Sequence, residues 1–310
     1  MIDPELEEVV GLLPSFDMSD VVAARALFEE MIAAMTVDIP GIEALLVEDR
    51  FVPGWEGEPE VKVRVYRPRD PSVTVPGILH IHGGGFIVGS IETEHAGAAM
   101  MAIDTGAVVV SVDYRLAPEY PFPSGQHDCF AALTFLAHST AELGVDPARI
   151  AVVGSSAGGG LAAATALMAR DLGGPALCFQ MLHIPELDDR LETHSMRTFV
   201  DTPVWNRPLA VNSWQSYLGA NVEDVSSYAA PARAENLAGL PPAYISTAEN
   251  DPLRDEGILY GLRLLQAGVS VELHQFPGTF HGSALVTTAA ISKRAQCESA
   301  VVLRRALKID

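Results

Sequence analysis

Polar and apolar residues change rhythm along the chain, and the changes mark out its elements. Between Val61 and Tyr66 they alternate strictly, with Val61, Val63 and Val65 on one side and Lys62 and Arg64 on the other. Such alternation belongs to a strand with one buried face. This segment and the β-rich stretch Glu43–Val52 before it are expected to form an antiparallel hairpin at a sheet edge. From Gly77 the alternation gives way to short apolar runs at Ile78–Ile81, Ala107–Val112, Arg149–Val153, Ala243–Thr247 and Val269–Phe276. Runs of this type fit strands covered on both faces. Segments with helical spacing accompany them: Ala23–Met35 ahead of the hairpin, then Phe130–His138, Leu161–Arg170, Gly257–Gln266 and Ser292–Leu307. Gly268, just past one of these, is a helix stop. Strands alternating with helices predict an α/β architecture, a mostly parallel sheet with helices on both faces.

One region breaks the alternation. Pro185–Tyr228 carries Trp205 and Trp214, several charges and few strand signals. Aromatics inserted between a strand and the next βα unit predict a helical cap over the sheet, completed by the N-terminal residues. The cap is expected to comprise about residues 1–45 and 185–228 of a single domain spanning 1–310.

Composition narrows the partners. The net charge of −20 repels phosphate backbones, which argues against nucleic acid. No stretch approaches a membrane span, and the acidic Met1–Glu8 segment lacks the apolar core of a secretory signal, so a cytoplasmic protein is expected. Cys129, Cys178 and Cys297 are too few for a disulfide framework and are expected to be buried free thiols.

Four signals carry chemistry. Gly154-Ser155-Ser156-Ala157-Gly158 follows the strand Arg149–Val153 and opens a helix, the strand–turn–helix context of a nucleophile elbow. Glycines flank a serine held in a strained turn, and the helix N-terminus places positive potential where an oxyanion would form. A loose dinucleotide-type pattern at Gly158, Gly160 and Ala163 is discounted, because those residues fall inside the helix and no suitably spaced acid follows. The second signal, His82-Gly83-Gly84-Gly85-Phe86, directly follows the strand Gly77–Ile81. Such a glycine loop turns its amides toward a tetrahedral intermediate, which makes Gly84, Gly85 and Ala157 the candidate oxyanion donors. His82 is read as bracing this loop rather than as a base or, with His80, a metal ligand, so no metal is expected.

The remaining two signals, Asp251 and His281, each lie just past the end of a predicted strand, where open α/β sheets build their sites. Their order after Ser156 is that of α/β-hydrolase triads. A serine hydroxyl needs a base, and the base needs a carboxylate to fix its tautomer. Rival acids are Glu249, Asp255 and Glu256. The triad supplies the chemistry without a cofactor. Phe86, Trp205 and Trp214 are candidates for the substrate pocket, with core packing as the alternative.

Together these residues resemble the bacterial hormone-sensitive-lipase family of esterases. The marks are the His82–Gly85 loop, Tyr114-Arg115-Leu116-Ala117-Pro118-Glu119, the Ser-Ala-Gly-Gly elbow and Asp251-Pro252-Leu253-Arg254-Asp255-Glu256-Gly257. Pro185–Arg190, Phe199–Pro203 and Phe276–Ser283 are similar to the heroin-esterase type within it. The resemblance implies an α/β-hydrolase fold with a mostly parallel eight-stranded sheet and a helical cap. It also implies a carboxylesterase for small, short-chain acyl (acetyl-type) esters, and a homodimer through the last strand and its neighbouring helix. The family usually places Asp or Thr before the nucleophile, where this chain has Ser155. Tyr114–Glu119 is read as holding the turn after its strand. Two other functions use the same scaffold: an amidase or deacetylase with the same triad, and a non-catalytic ligand receptor.

Overall fold

The protein is described by a computed structural model over residues 1–13, 20–34, 38–69, 74–220 and 223–309. Met35 and the expected cap residues 14–19, 35–37 and 221–222 lie outside the described residues. In chain order the helices are α1 (Pro4–Val10), α2 (Val21–Ala34), α3 (His95–Thr105), α4 (Ser124–His138), α5 (Thr140–Leu143), α6 (Ala157–Asp171), α7 (His194–Thr198), α8 (Arg207–Leu218), α9 (Arg254–Gln266) and α10 (Ala290–Ala306). The strands are β1 (Leu45–Val52), β2 (Val61–Pro68), β3 (Val75–Ile81), β4 (Val108–Asp113), β5 (Val145–Ser155), β6 (Phe179–His183), β7 (Ala243–Asn250) and β8 (Val271–Phe280).

The strands form one 8-stranded sheet in the order β1-β2-β4-β3-β5-β6-β7-β8. The pairs β1–β2 and β2–β4 are antiparallel, as the alternation in Val61–Tyr66 predicts, and the others are parallel. This is an α/β-hydrolase fold, a mostly parallel sheet flanked by helices. Side chains alternate across the sheet. On one face, Leu79, Ile81, Val110 and Val152 pack against α4, α6 and α9. On the other, Ile78, Val109, Ala151, Val153 and Met181 pack against Ala98, Ala99 and Ala102 of α3 and Val302 and Leu303 of α10.

A third apolar cluster sits above the strand ends. It joins Ala24 of α2 to Ile87 and Val88 of the glycine loop, Met196 of α7, and Trp205, Leu209 and Ala210 at α8. Arg25 of α2 ties this layer down: its Nε donates to the Ile87 carbonyl at 2.8 Å, and its Nη2 donates to the Ala117 carbonyl at 3.0 Å and to Glu119 at 2.8 Å. Leu6 of α1 packs on Phe280 of β8 and Ala289.

Besides the one-turn α5, the elements β6 and α3 have no counterpart in the sequence pattern. β6 reads Phe-Gln-Met-Leu-His, without a β-branched residue. α3 reads His-Ala-Gly-Ala-Ala-Met-Met-Ala-Ile-Asp-Thr, whose small residues blur any amphipathic period because it is wedged between sheet and neighbours. The cysteines also differ from expectation. Cys129 is buried, whereas Cys178 is partly buried and Cys297 exposed, because the last lies on the outer face of α10.

Candidate active site

The parallel strands all end on the side where the candidate residues gather. β5 ends at Ser155, and Ser156 enters the left-handed region with φ 58° and ψ −124° before α6 begins. A non-glycine residue there is strained. The strain is held from all sides: Ser156 N–H donates to the His183 carbonyl at 2.8 Å, and the Ser156 carbonyl accepts from Glu186 N–H and Gly160 N–H, both at 3.0 Å. The first turn of α6 can press in this closely only because Gly158, Gly159 and Gly160 carry no side chain. A Cβ on Gly158 would lie 2.2 Å from the Ile81 carbonyl oxygen, and one on Gly160 2.1 Å from the Glu186 carbonyl oxygen.

Asp251 follows β7 and His281 follows β8. His281 Nε2 lies 2.9 Å from Ser156 Oγ, and its Nδ1 lies 2.7 Å from Asp251 Oδ2. Asp251 is 0% exposed and also accepts from Leu253 N–H at 2.9 Å through its other oxygen. A buried carboxylate on Nδ1 fixes the tautomer that donates there and leaves Nε2 to accept the serine proton. The rival acids point elsewhere. Glu249 accepts from Gly278 N–H, Asp255 from Ser195 N–H, and Glu256 from Leu187 N–H.

The glycine loop leaves β3 with Gly84 at φ 120° and Gly85 at φ 57°, conformations that L side chains rarely adopt. The amides of Gly84, Gly85 and Ala157 make no hydrogen bond among the described residues, so all three remain open to an oxyanion. His82 stacks on Tyr114 with ring centres 4.1 Å apart, and its Nδ1 lies 2.8 Å from the Gly83 carbonyl. Tyr114 in turn donates to the His82 carbonyl at 3.1 Å, and Ala117 N–H to the Phe86 carbonyl at 2.9 Å. The Tyr114–Glu119 segment thus holds the loop and does not line the cavity.

Ser156 and His281 open onto a cavity of about 470 Å³. Of the aromatics expected in a substrate pocket, only Trp205 lines it. Phe86 and Trp214 correct that expectation. Phe86 stacks on Tyr217 at 3.9 Å and lies 5.5 Å from the Trp214 ring, and both are core because α8 folds back onto the loop. Trp205 packs beside the His281 ring at 5.6 Å. A Cβ on Gly85 would fall 2.6 Å from its Cη2 atom.

The sequence pattern also misses the cavity's polar wall. Ser155, His183 and Ser246 stand side by side on β5, β6 and β7 and line it, as does Glu94 at the start of α3. β6 and α3 are elements without a pattern signal, and their residues facing the cavity are hidden with them. Burial pulls the His82 and His183 imidazoles down to about 4, which keeps both neutral at physiological pH. His183 Nδ1 lies 2.8 Å from Ser246 Oγ. Burial pushes the Glu94 carboxyl up to about 7 and that of Glu186, behind the elbow, up to about 8. Among the described residues no group of His, Cys, Asp and Glu could hold a metal ion, and no helix is long and apolar enough to cross a membrane.

The arrangement can pass a proton from a hydroxyl to an imidazole that a buried carboxylate orients, while amide donors face the reacting carbonyl. Known proteins carry the same architecture. A family model described as an alpha/beta hydrolase fold matches residues 78–285. Carboxylesterase NlhH of Mycobacterium tuberculosis is 41% identical, with 99% of this chain and 96% of that protein covered. Ethyl acetate hydrolase of Pseudomonas putida is 34% identical, with 71% of this chain and 70% of that protein covered. Among solved structures, a bacterial heroin esterase superposes with a TM-score of 0.96 at 53% identity, covering 99% of this chain and 98% of its own.

Proposed function

The chain belongs to the hormone-sensitive-lipase-like branch of the alpha/beta hydrolases and is a serine carboxylic ester hydrolase, and from that premise we propose that it cleaves short-chain acyl esters, acetates above all, through an acyl-enzyme on Ser156. The observation that carries this reading is the relay Ser156 Oγ to His281 Nε2 (2.9 Å) and His281 Nδ1 to Asp251 (2.7 Å). His281 takes the Ser156 proton as Oγ attacks the ester carbonyl. The amides of Gly84, Gly85 and Ala157 receive the oxyanion, each donor of this kind being worth about 3 kcal/mol. Collapse of the intermediate breaks the carbon–oxygen bond to the alcohol, which leaves with the proton from His281. Water, deprotonated by the same imidazole, then releases the acid and restores Ser156.

The acetyl preference draws support from a relative named for ethyl acetate. It also fits the crowding around Ser156, where Trp205 and His281 pack ring against ring. The residues of α2 and the 185–228 region, joined by the cluster around Trp205, together with α1, which packs on Phe280 and Ala289, serve in this reading as the cap that keeps water from the reacting ester. Initial rates on p-nitrophenyl esters from acetate to decanoate, with wild type and Ser156→Ala compared, test it. The reading requires acetate to be turned over and the variant to lose nearly all of that rate. Equal activity in both proteins removes Ser156 from the mechanism.

A further inference from the structure

We propose that the alcohol arm of the substrate, a neutral unbranched aliphatic chain, lies in a slot between α3 and α10 that opens beside Ser156. The inference rests on the reading of the acyl arm as acetyl and supplies the other half of the ester. The cavity does not stop at the catalytic residues but continues down one face of the sheet. α3 lines it with Gly97, Met100, Met101 and Asp104, and α10 lines it with Ser292, Ala295, Ser299 and Leu303. Both sets follow the spacing of a single helical face, so each helix turns one continuous stripe to the slot. From Glu94 to Thr105, and from Ser292 to Leu303, each wall is about 16 Å long at 1.5 Å per residue.

The slot exists because small residues hold the upper walls apart without filling the gap. Its far end is closed. Leu303 joins Ala98 and Ala102 of α3 in the core, and Arg304 Nη1 donates to the Asp104 carbonyl at 2.8 Å. The wall chemistry selects the occupant. Met100, Met101 and Met181 present flexible thioether chains that adapt to an alkyl arm. No Lys or Arg lines the cavity among the described residues, while the acidic residues Glu94 and Asp104 do, which disfavours an anionic tail. The α10 wall begins just after the loop His281–Leu285, which also lines the cavity. The slot is thus continuous with the loop carrying His281, the residue that in this reading delivers the proton to the leaving oxygen.

The test is the kcat/KM of wild type and two variants, Ala300→Trp and Met100→Ala, on acetates of ethanol, butanol, hexanol and octanol and on the p-nitrophenyl acyl series. Wild type is expected to gain up to about fourfold per added alcohol methylene until the slot is filled. Ala300→Trp, at a partly exposed position lining the slot, is expected to lower the octyl-to-ethyl ratio by about tenfold or more. Met100→Ala is expected to move the optimum toward longer alcohols. A wild type active on ethyl acetate with no dependence on alcohol length, and an unmoved ratio in both variants, overturns the slot but not the acetyl reading. Variants that reshape the acyl series and leave the alcohol series alone also overturn it. A wild type inert on every acetate overturns both.

Discussion

Gly85→Ala is the sharpest perturbation of the glycine loop proposed to hold the oxyanion. Two costs follow from the geometry. The residue sits at φ 57°, where an alanine pays about 1–2 kcal/mol of backbone strain. The added methyl would also lie 2.6 Å from Trp205 Cη2, closer than any real contact. Trp205 is 4% exposed and lies against the His281 ring, so it has nowhere to retreat. The loop must move instead, and its amides with it. Loss of one aligned donor costs about 2.7–4 kcal/mol, or roughly 10²–10³ in kcat. Initial rates on p-nitrophenyl acetate measure this loss, and urea unfolding measures the strain. Because the clash involves the outer ring of the indole, Trp205→Phe removes the colliding atoms. The double variant Gly85→Ala/Trp205→Phe is therefore expected to recover about tenfold or more over the product of the two single effects. A Gly85→Ala enzyme within about threefold of wild type would refute the reasoning. So would losses that multiply independently, since they would separate the loop from Trp205.

Two further outcomes follow. Asp251→Asn keeps the shape but reverses the hydrogen bond to His281 Nδ1, so kcat on p-nitrophenyl acetate is expected to fall by roughly three to four orders of magnitude with KM little changed. A loss under about tenfold would assign the carboxylate role to another residue. The buried imidazoles of His82 and His183 set an acid limit on stability. Each ionises at 6.5 when exposed and at about 4 in the folded chain, so the unfolded chain binds the extra protons between those values. Stability is full above pH 6.5 and is lost as pH falls toward 4, by about 3 kcal/mol per histidine. Urea midpoints across that range are expected to fall on acidification and to fall less steeply in His183→Gln. Identical slopes in variant and wild type would remove His183 from the account.

What is legible in this sequence and what is not divides along physical lines. Ser156, Asp251 and His281 stand in short contexts whose backbone requirements are local: a glycine-flanked turn after an apolar run, and a loop after each of two strands. The hairpin at Leu45–Pro68 is legible for the same reason, since one buried face imprints a strict alternation. β6 and α3 are not legible, because β6 is a short strand without a β-branched residue and the small residues of α3 blur its amphipathic period. The pocket aromatics show a different limit. Phe86 and Trp214 share a residue type and a neighbourhood with Trp205, and only the return of α8 onto the loop sends two of them into the core and one to the cavity.

The bare first turn of α6 divides the molecule into parts that differ in their freedom to diverge. Where Gly158 and Gly160 meet their neighbours through main-chain atoms, there is no side chain whose exchange could compensate for a change. Descendants of this chain must inherit that turn unaltered or abandon the elbow. Along the stripes of α3 and α10, Met100, Met101, Ala295 and Ser299 are partly exposed and line the cavity, so they carry no such burden. If those stripes hold the alcohol arm as proposed, lineages are free to rewrite which ester is accepted, while the turn that carries Ser156 stays frozen.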